Sequence, residues 1–222
     1  MENSSLNGKQ NLDEKSIRKG RRKTKAPCDG CGLHLQLCIC NQIPRLEIQT
    51  RVVLVIHAKE LKRTTNSGQL ALKALPNSLM KVRGQEKNTL DLSELLTDAY
   101  QSLLLFPSED AIELTAEWVS QFRKPIQLFV PDGNWRQASK VNTRHPELAD
   151  LPRVMIRTPN LAAEHLRAES SEYGRSTLEA VAKALGLIEL VEGPKVEARL
   201  MELYQAKLQN TLKGRGSQKG DQ

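Results

Sequence analysis

All four cysteines of this 222-residue chain, Cys28, Cys31, Cys38 and Cys40, fall in one 13-residue window with the spacing C-x2-C-x6-C-x-C. A segment that gathers four sulfurs so closely is closed either around an ion or by disulfides, and that choice dictates its local fold. Two short-spaced thiolate pairs joined by six residues converge on one tetrahedral ion, and four thiolates leaving no position for water describe structural zinc. Disulfides are the rival. The first twenty residues, MENSSLNGKQNLDEKSIRKG, lack an apolar signal core and carry Glu2, Asp13 and Glu14, so neither a secretory signal nor a transit peptide is expected. In reducing surroundings such a cluster binds metal more often than it oxidises, and Cys28, Cys31, Cys38 and Cys40 are expected to hold a structural zinc. His34 lies in the same window as an alternative ligand, but beside four thiolates it reads as a solvated loop residue.

No apolar run approaches the roughly 18 residues a bilayer crossing requires, so a soluble, cytoplasmic chain without a membrane partner is expected. The formal charge of +7 suggests a nucleic-acid partner until it is apportioned. Residues 1–27 carry +5 and residues 207–222 carry +3, which leaves the middle at −1. The run KGRRKTK at 19–25 fits an RNA-binding arm, a nuclear signal or a solvated end. RNA affinity is therefore expected to include a salt-dependent contribution from the tails. The expected organisation is a disordered basic tail (1–26), a cysteine module (27–44), a single α/β domain (45–206) and a flexible basic tail (207–222), with no oligomeric state indicated.

The β-branched run Arg51–His57 reads as a buried strand, and shorter apolar runs follow at 78–82, 102–106, 126–130 and 153–156. Helical periodicity falls between and after them, at 69–75, 110–122, 134–141, 177–187 and 196–208. This alternation predicts an α/β fold with a mainly parallel sheet and helices on both faces. Its ligand crevice should lie beyond the carboxyl ends of the strands, in the loops after His57, Phe106, Val130 and Arg157. Neither G-x-G-x-x-G after a strand nor a P-loop is present, and with no H-E-x-x-H, no G-x-S-x-G and no spare cysteine the common hydrolase nucleophiles are missing.

Each expected loop carries polar groups that also have a local structural role. Asn66 or Ser67 is placed to cap the helix that follows, and Ser108 to cap the next. Asn134 with Gln137, and Ser176 with Glu179, have capping-box spacing. The box leaves Asp132 and Trp135 unexplained, and a carboxylate at a strand end near an aromatic is a candidate base beside a stacking surface. Ser176 and Thr177 open a helix whose free N–H groups suit a ligand carboxylate.

Taken in order, TKAPCDGCGLHLQLCIC, RTTNSG (63–68), LLLFPSED (103–110), PDGNWRQA (131–138) and LRAESSEYGRSTLEA (166–180) resemble the DTW-domain family of tRNA-uridine aminocarboxypropyltransferases, from Lys25 to about Leu190. The resemblance implies a fold similar to the SPOUT class, whose sheet can be knotted in its C-terminal part. It also implies transfer of the 3-amino-3-carboxypropyl group of S-adenosylmethionine to N3 of a tRNA uridine. On that basis Asp132 is the expected base, and Thr65, Asn66, Ser67, Gly68, Phe106, Pro107, Asp132, Gly133, Trp135, Ser176 and Thr177 are the expected contacts to S-adenosylmethionine. Two departures stand out: Asn134 where the family has Thr, and His57-Ala58 where it tends to have His-Pro. A SPOUT-type RNA methyltransferase and a non-catalytic zinc-ribbon RNA-binding protein are the alternatives.

Overall fold

The structure is a computed structural model that describes residues 27–85, 90–160, 165–166 and 174–216. The expected tail 1–26 with its KGRRKTK run, residues 217–222, and residues 167–173 of the last motif lie outside the described residues.

Six strands form one sheet in the order β2-β1-β5-β3-β6-β4. They are β1 (Arg51–His57), β2 (Ser78–Arg83), β3 (Gln101–Leu105), β4 (Ile112–Glu113), β5 (Ile126–Asp132) and β6 (Arg153–Met155). Every pairing is parallel, with Val52 opposite Leu128 and Leu103 opposite Leu128 on either side of β5. Val52 through Ile56 are all buried, as a central parallel strand covered on both faces requires. The chain runs outward from β1 to β2, then crosses to the other side for β3, and β5 fills the gap between β1 and β3. That reversal is where a parallel sheet opens a crevice at its carboxyl edge.

The helices are α1 (Gly68–Ala74), α2 (Ala116–Val119), α3 (Trp135–Ala138), α4 (Val141–Arg144), α5 (Thr177–Ile188) and α6 (Gly193–Gly216). Both faces are covered, but unequally. Val52, Leu54, Ile56, Leu103 and Leu128 pack against α1, α5 and α6, and the cysteine segment joins this core through Cys31, Leu33 and Ile39. Val53, Val55, Leu104 and Phe129 meet a thinner layer made by Leu92, Leu95, Val141 and Leu148.

Two expectations need correcting. The helix expected over 110–122 is confined to Ala116–Val119, and Ile112–Glu113 pair with β6 instead. Thr115 starts the helix by accepting the Trp118 N–H, so Ser108 does not cap it. The flexible tail expected from residue 207 is helical to Gly216. Lys207 is buried and donates to the Cys31 carbonyl at 2.7 Å, and Arg215 donates to the Leu166 carbonyl. Neither cation belongs to a solvated tail.

Candidate active site and cysteine cluster

At the carboxyl edge of β1, β5, β3 and β6 lies a cleft of about 580 Å³. Three segments distant in sequence meet in its wall, at Thr65–Ser67 after β1, Asp132–Trp135 after β5, and Gly174–Thr177 before α5. Phe106 and Pro107 after β3, with Met155 and Ile156 at the end of β6, close the other side.

Asp132 joins the three segments. The residue is only 4% exposed. Asn66 Nδ2 donates to Oδ2 at 2.5 Å, and the Thr177 hydroxyl donates to Oδ1 at 2.5 Å. Asn66 also caps α1 by accepting the Gln69 N–H on Oδ1, so one amide starts a helix and holds the carboxylate. The Ser67 hydroxyl accepts the N–H of Leu178, in the first turn of α5 rather than of its own helix. Gly68 lies behind the wall, where a Cβ would sit 3.1 Å from Asp132 Oδ2. Asn66→Ala is expected to lower unfolding stability by about 2–4 kcal/mol, combining a lost cap with a lost donor to a buried carboxylate. An unchanged urea midpoint would contradict that geometry.

Both expected capping boxes are formed. The Asn134 side chain accepts the Gln137 N–H at 2.9 Å, and Gln137 Oε1 accepts the Asn134 N–H at 2.8 Å. Ser176 and Glu179 make the same exchange at α5. Asn134, the departure from the family pattern, thus starts α3 competently. Gly133 is required by this box, since a Cβ there would lie 2.9 Å from the Gln137 side chain. Trp135 is 60% exposed and its ring stacks on Phe106 with centroids 5.1 Å apart, so one face is covered and the other is available to a planar ligand.

The structure brings Thr65, Asn66, Ser67, Phe106, Pro107, Asp132, Gly133, Trp135, Ser176 and Thr177 to one cleft. It adds Arg175, Leu166 and Ala138, which sequence reasoning passed over. Arg175 donates to the carbonyl and hydroxyl of Thr158, tying the segment after β6 to the start of α5. Burial pulls its guanidinium below the usual range, and Glu179 opposes the shift. Its adjacency to the N-cap Ser176 was the available signal. Among the described lining residues Asp132 is the only acid. Glu60 is buried in an ion pair with Arg63, and Glu179 is held in its capping box.

The four cysteine sulfurs lie within 4.8 Å of one another. Cys28 is 3.5 Å from Cys38 and 3.6 Å from Cys40, and Cys31 is 3.9 Å from Cys38. Thiolates about 2.3 Å from one tetrahedral ion stand about 3.8 Å apart, so the donor set fits a metal ion. The Cys31 amide, ahead of the neighbouring thiols, draws Cys28 down to about 6, while burial pushes Cys40 up to about 12. His34 is outside the cluster, its Nδ1 accepting the Gln36 N–H.

The DTW-domain family model matches residues 25–212. Over 169 residues the chain is 29% identical to tRNA-uridine aminocarboxypropyltransferase 2 of Drosophila melanogaster, covering 73% of this chain and 66% of that protein. The proteins of the same name from Macaca fascicularis and Mus musculus are 24% and 26% identical, over 75% and 73% of this chain and 58% and 56% of theirs. The chain thus spans less than two thirds of the length of each of these relatives. No solved structure matches it.

Proposed function

The chain belongs to the DTW-domain family, and from that premise we propose that it transfers the 3-amino-3-carboxypropyl group of S-adenosylmethionine to N3 of a tRNA uridine, releasing methylthioadenosine. The observation that carries this reading is Asp132, the only acid among the described residues lining the cleft, oriented by donors on both oxygens and three residues from a tryptophan with an open face.

A uridine imide is a poor nucleophile until it loses its N3 proton. In the proposed reaction Asp132 takes that proton, N3 forms a bond to Cγ of the methionine chain, and the Cγ–S bond breaks with its electron pair going to sulfur. The sulfonium becomes a neutral thioether. Choosing Cγ over the methyl carbon is a matter of orientation, because both are bonded to the same sulfur. Arg175 and the positive end of the 12-residue α5 suit the carboxylate of the transferred group. Thr65, Asn66, Ser67, Phe106 and Pro107 form the remaining walls of the proposed S-adenosylmethionine site, with Gly68 behind them. The four cysteines are proposed to hold one zinc ion with a purely structural role.

Incubation with total tRNA and S-adenosylmethionine, followed by nucleoside mass spectrometry, tests this. The expected product is an aminocarboxypropyl uridine with equimolar methylthioadenosine. A methylated nucleoside with S-adenosylhomocysteine would replace this reading with a methyltransferase, and unmodified tRNA would leave RNA binding alone.

No described helix is long and apolar enough to cross a membrane. The reading places the work in the cytoplasm, where tRNA and S-adenosylmethionine meet.

A further inference from the structure

Over much of the described surface, exposed cations are matched by acids. Arg45 pairs with Glu47, Lys124 with Asp98, Arg157 with Glu113, Lys195 with Glu192 and Arg199 with Glu202. At the carboxyl end of β1 and β5 this matching stops. Lys59 and Lys62 follow β1, and Arg136, Lys140 and Arg144 follow β5; all five are exposed, and none forms an ion pair among the described residues. Residues 133–145 contain no acid at all. Glu60 and Asp132 are buried, and Glu147, the next acid after Arg144, is half-buried and held by the Leu92 N–H and His145.

Arg83, at the end of β2, adds a buried guanidinium to the same edge. It donates to the Gln137 carbonyl, while its Nε has no hydrogen-bond partner among the described residues. These charges feel one another. Burial and then Arg144 draw Arg83 below its usual range, and His57 is lowered by burial, Arg83, Lys59 and Arg144, with Glu60 opposing. A fold that holds like charges together, with the few acids nearby buried or already bonded, carries self-repulsion, which a bound polyanion relieves.

We propose that this edge, with Lys59, Arg136, Lys140 and Arg144 as its phosphate contacts, is the surface on which the RNA backbone docks beside the cleft. The inference rests on the tRNA reading above and gives it a location. The surface leads to Trp135, whose open face is suited to a base arriving from that side. It adds a fixed site to the contribution expected of the tails, of whose four C-terminal cations two, Lys207 and Arg215, are already occupied within the fold.

The test is the salt dependence of binding to total tRNA, read by fluorescence anisotropy. Each neutralised phosphate contributes about 0.7–0.9 to the slope of log K against log salt. The triple variant Lys59→Ala, Lys140→Ala, Arg144→Ala is therefore expected to flatten the slope by about 2–3 and weaken binding at least roughly tenfold near 0.1 M salt. Its affinity for S-adenosylmethionine should stay unchanged. The control pair Lys73→Ala, Arg123→Ala removes exposed cations at the opposite edge, in the last turn of α1 and just before β5, and should leave the slope as it was. Lys140→Ala alone, expected to flatten the slope by about 1, decides the matter if the triple variant fails to fold. A wild-type protein that binds tRNA, with variants of unchanged slope, overturns the surface and spares the activity. A wild-type protein that binds no tRNA at any salt overturns both.

Discussion

Asp132→Asn is expected to slow turnover by about 10²- to 10⁴-fold, the usual contribution of a positioned general base, while S-adenosylmethionine and tRNA still bind. The variant suits this site because its hydrogen bonds can be rebuilt. The new amide oxygen can still accept from Asn66, and the Thr177 hydroxyl can rotate to accept from the new NH2 group. The shape of the junction is then preserved and the proton acceptor is removed. The loss should shrink as pH rises, because uridine then deprotonates without help. An Asn variant with near-normal turnover, or one inactive only through unfolding, would remove Asp132 from the role of base. Neither Glu60 nor Glu179 is a ready substitute, since neither lines the cleft.

Cys31→Ala is expected to produce the largest loss of stability. Structural zinc is worth about 10–16 kcal/mol in small peptides, and here the cysteine segment belongs to the main core rather than to a separate knob. Cys31 is buried, and its carbonyl accepts from the buried ammonium of Lys207 in α6. Losing the metal therefore loosens α6 as well as the loop. Thermal unfolding should show a large drop in midpoint and elemental analysis a loss of bound zinc, with activity per folded molecule affected less. Wild-type protein purified without chelator and found free of zinc would contradict the assignment.

The parallel sheet was legible because Val52–Ile56 and Leu128–Val130 are continuous β-branched or apolar runs, which few other arrangements accommodate. The two capping boxes were legible for a similar reason, since their chemistry is complete within four residues. What could not be read was anything settled by contacts across the chain. Ile112–Glu113 become a strand because β6 offers an edge, against a helical periodicity that runs straight through them. Ser67 caps a helix 111 residues away, and Asp132 finds donors in Asn66 and Thr177 that no local pattern announces. The extension of α6 to Gly216 depends on Lys207 and Arg215 meeting carbonyls of Cys31 and Leu166, whereas composition alone marks those residues as a polar tail.

In the proposed reaction the aminocarboxypropyl group, and not the methyl group, moves from S-adenosylmethionine to RNA. Total tRNA incubated with S-adenosylmethionine carrying radiocarbon in its carboxyl group and tritium in its methyl group separates the two directly. Radiocarbon is expected in the recovered tRNA and tritium in released methylthioadenosine. Tritium in the tRNA without radiocarbon would contradict it.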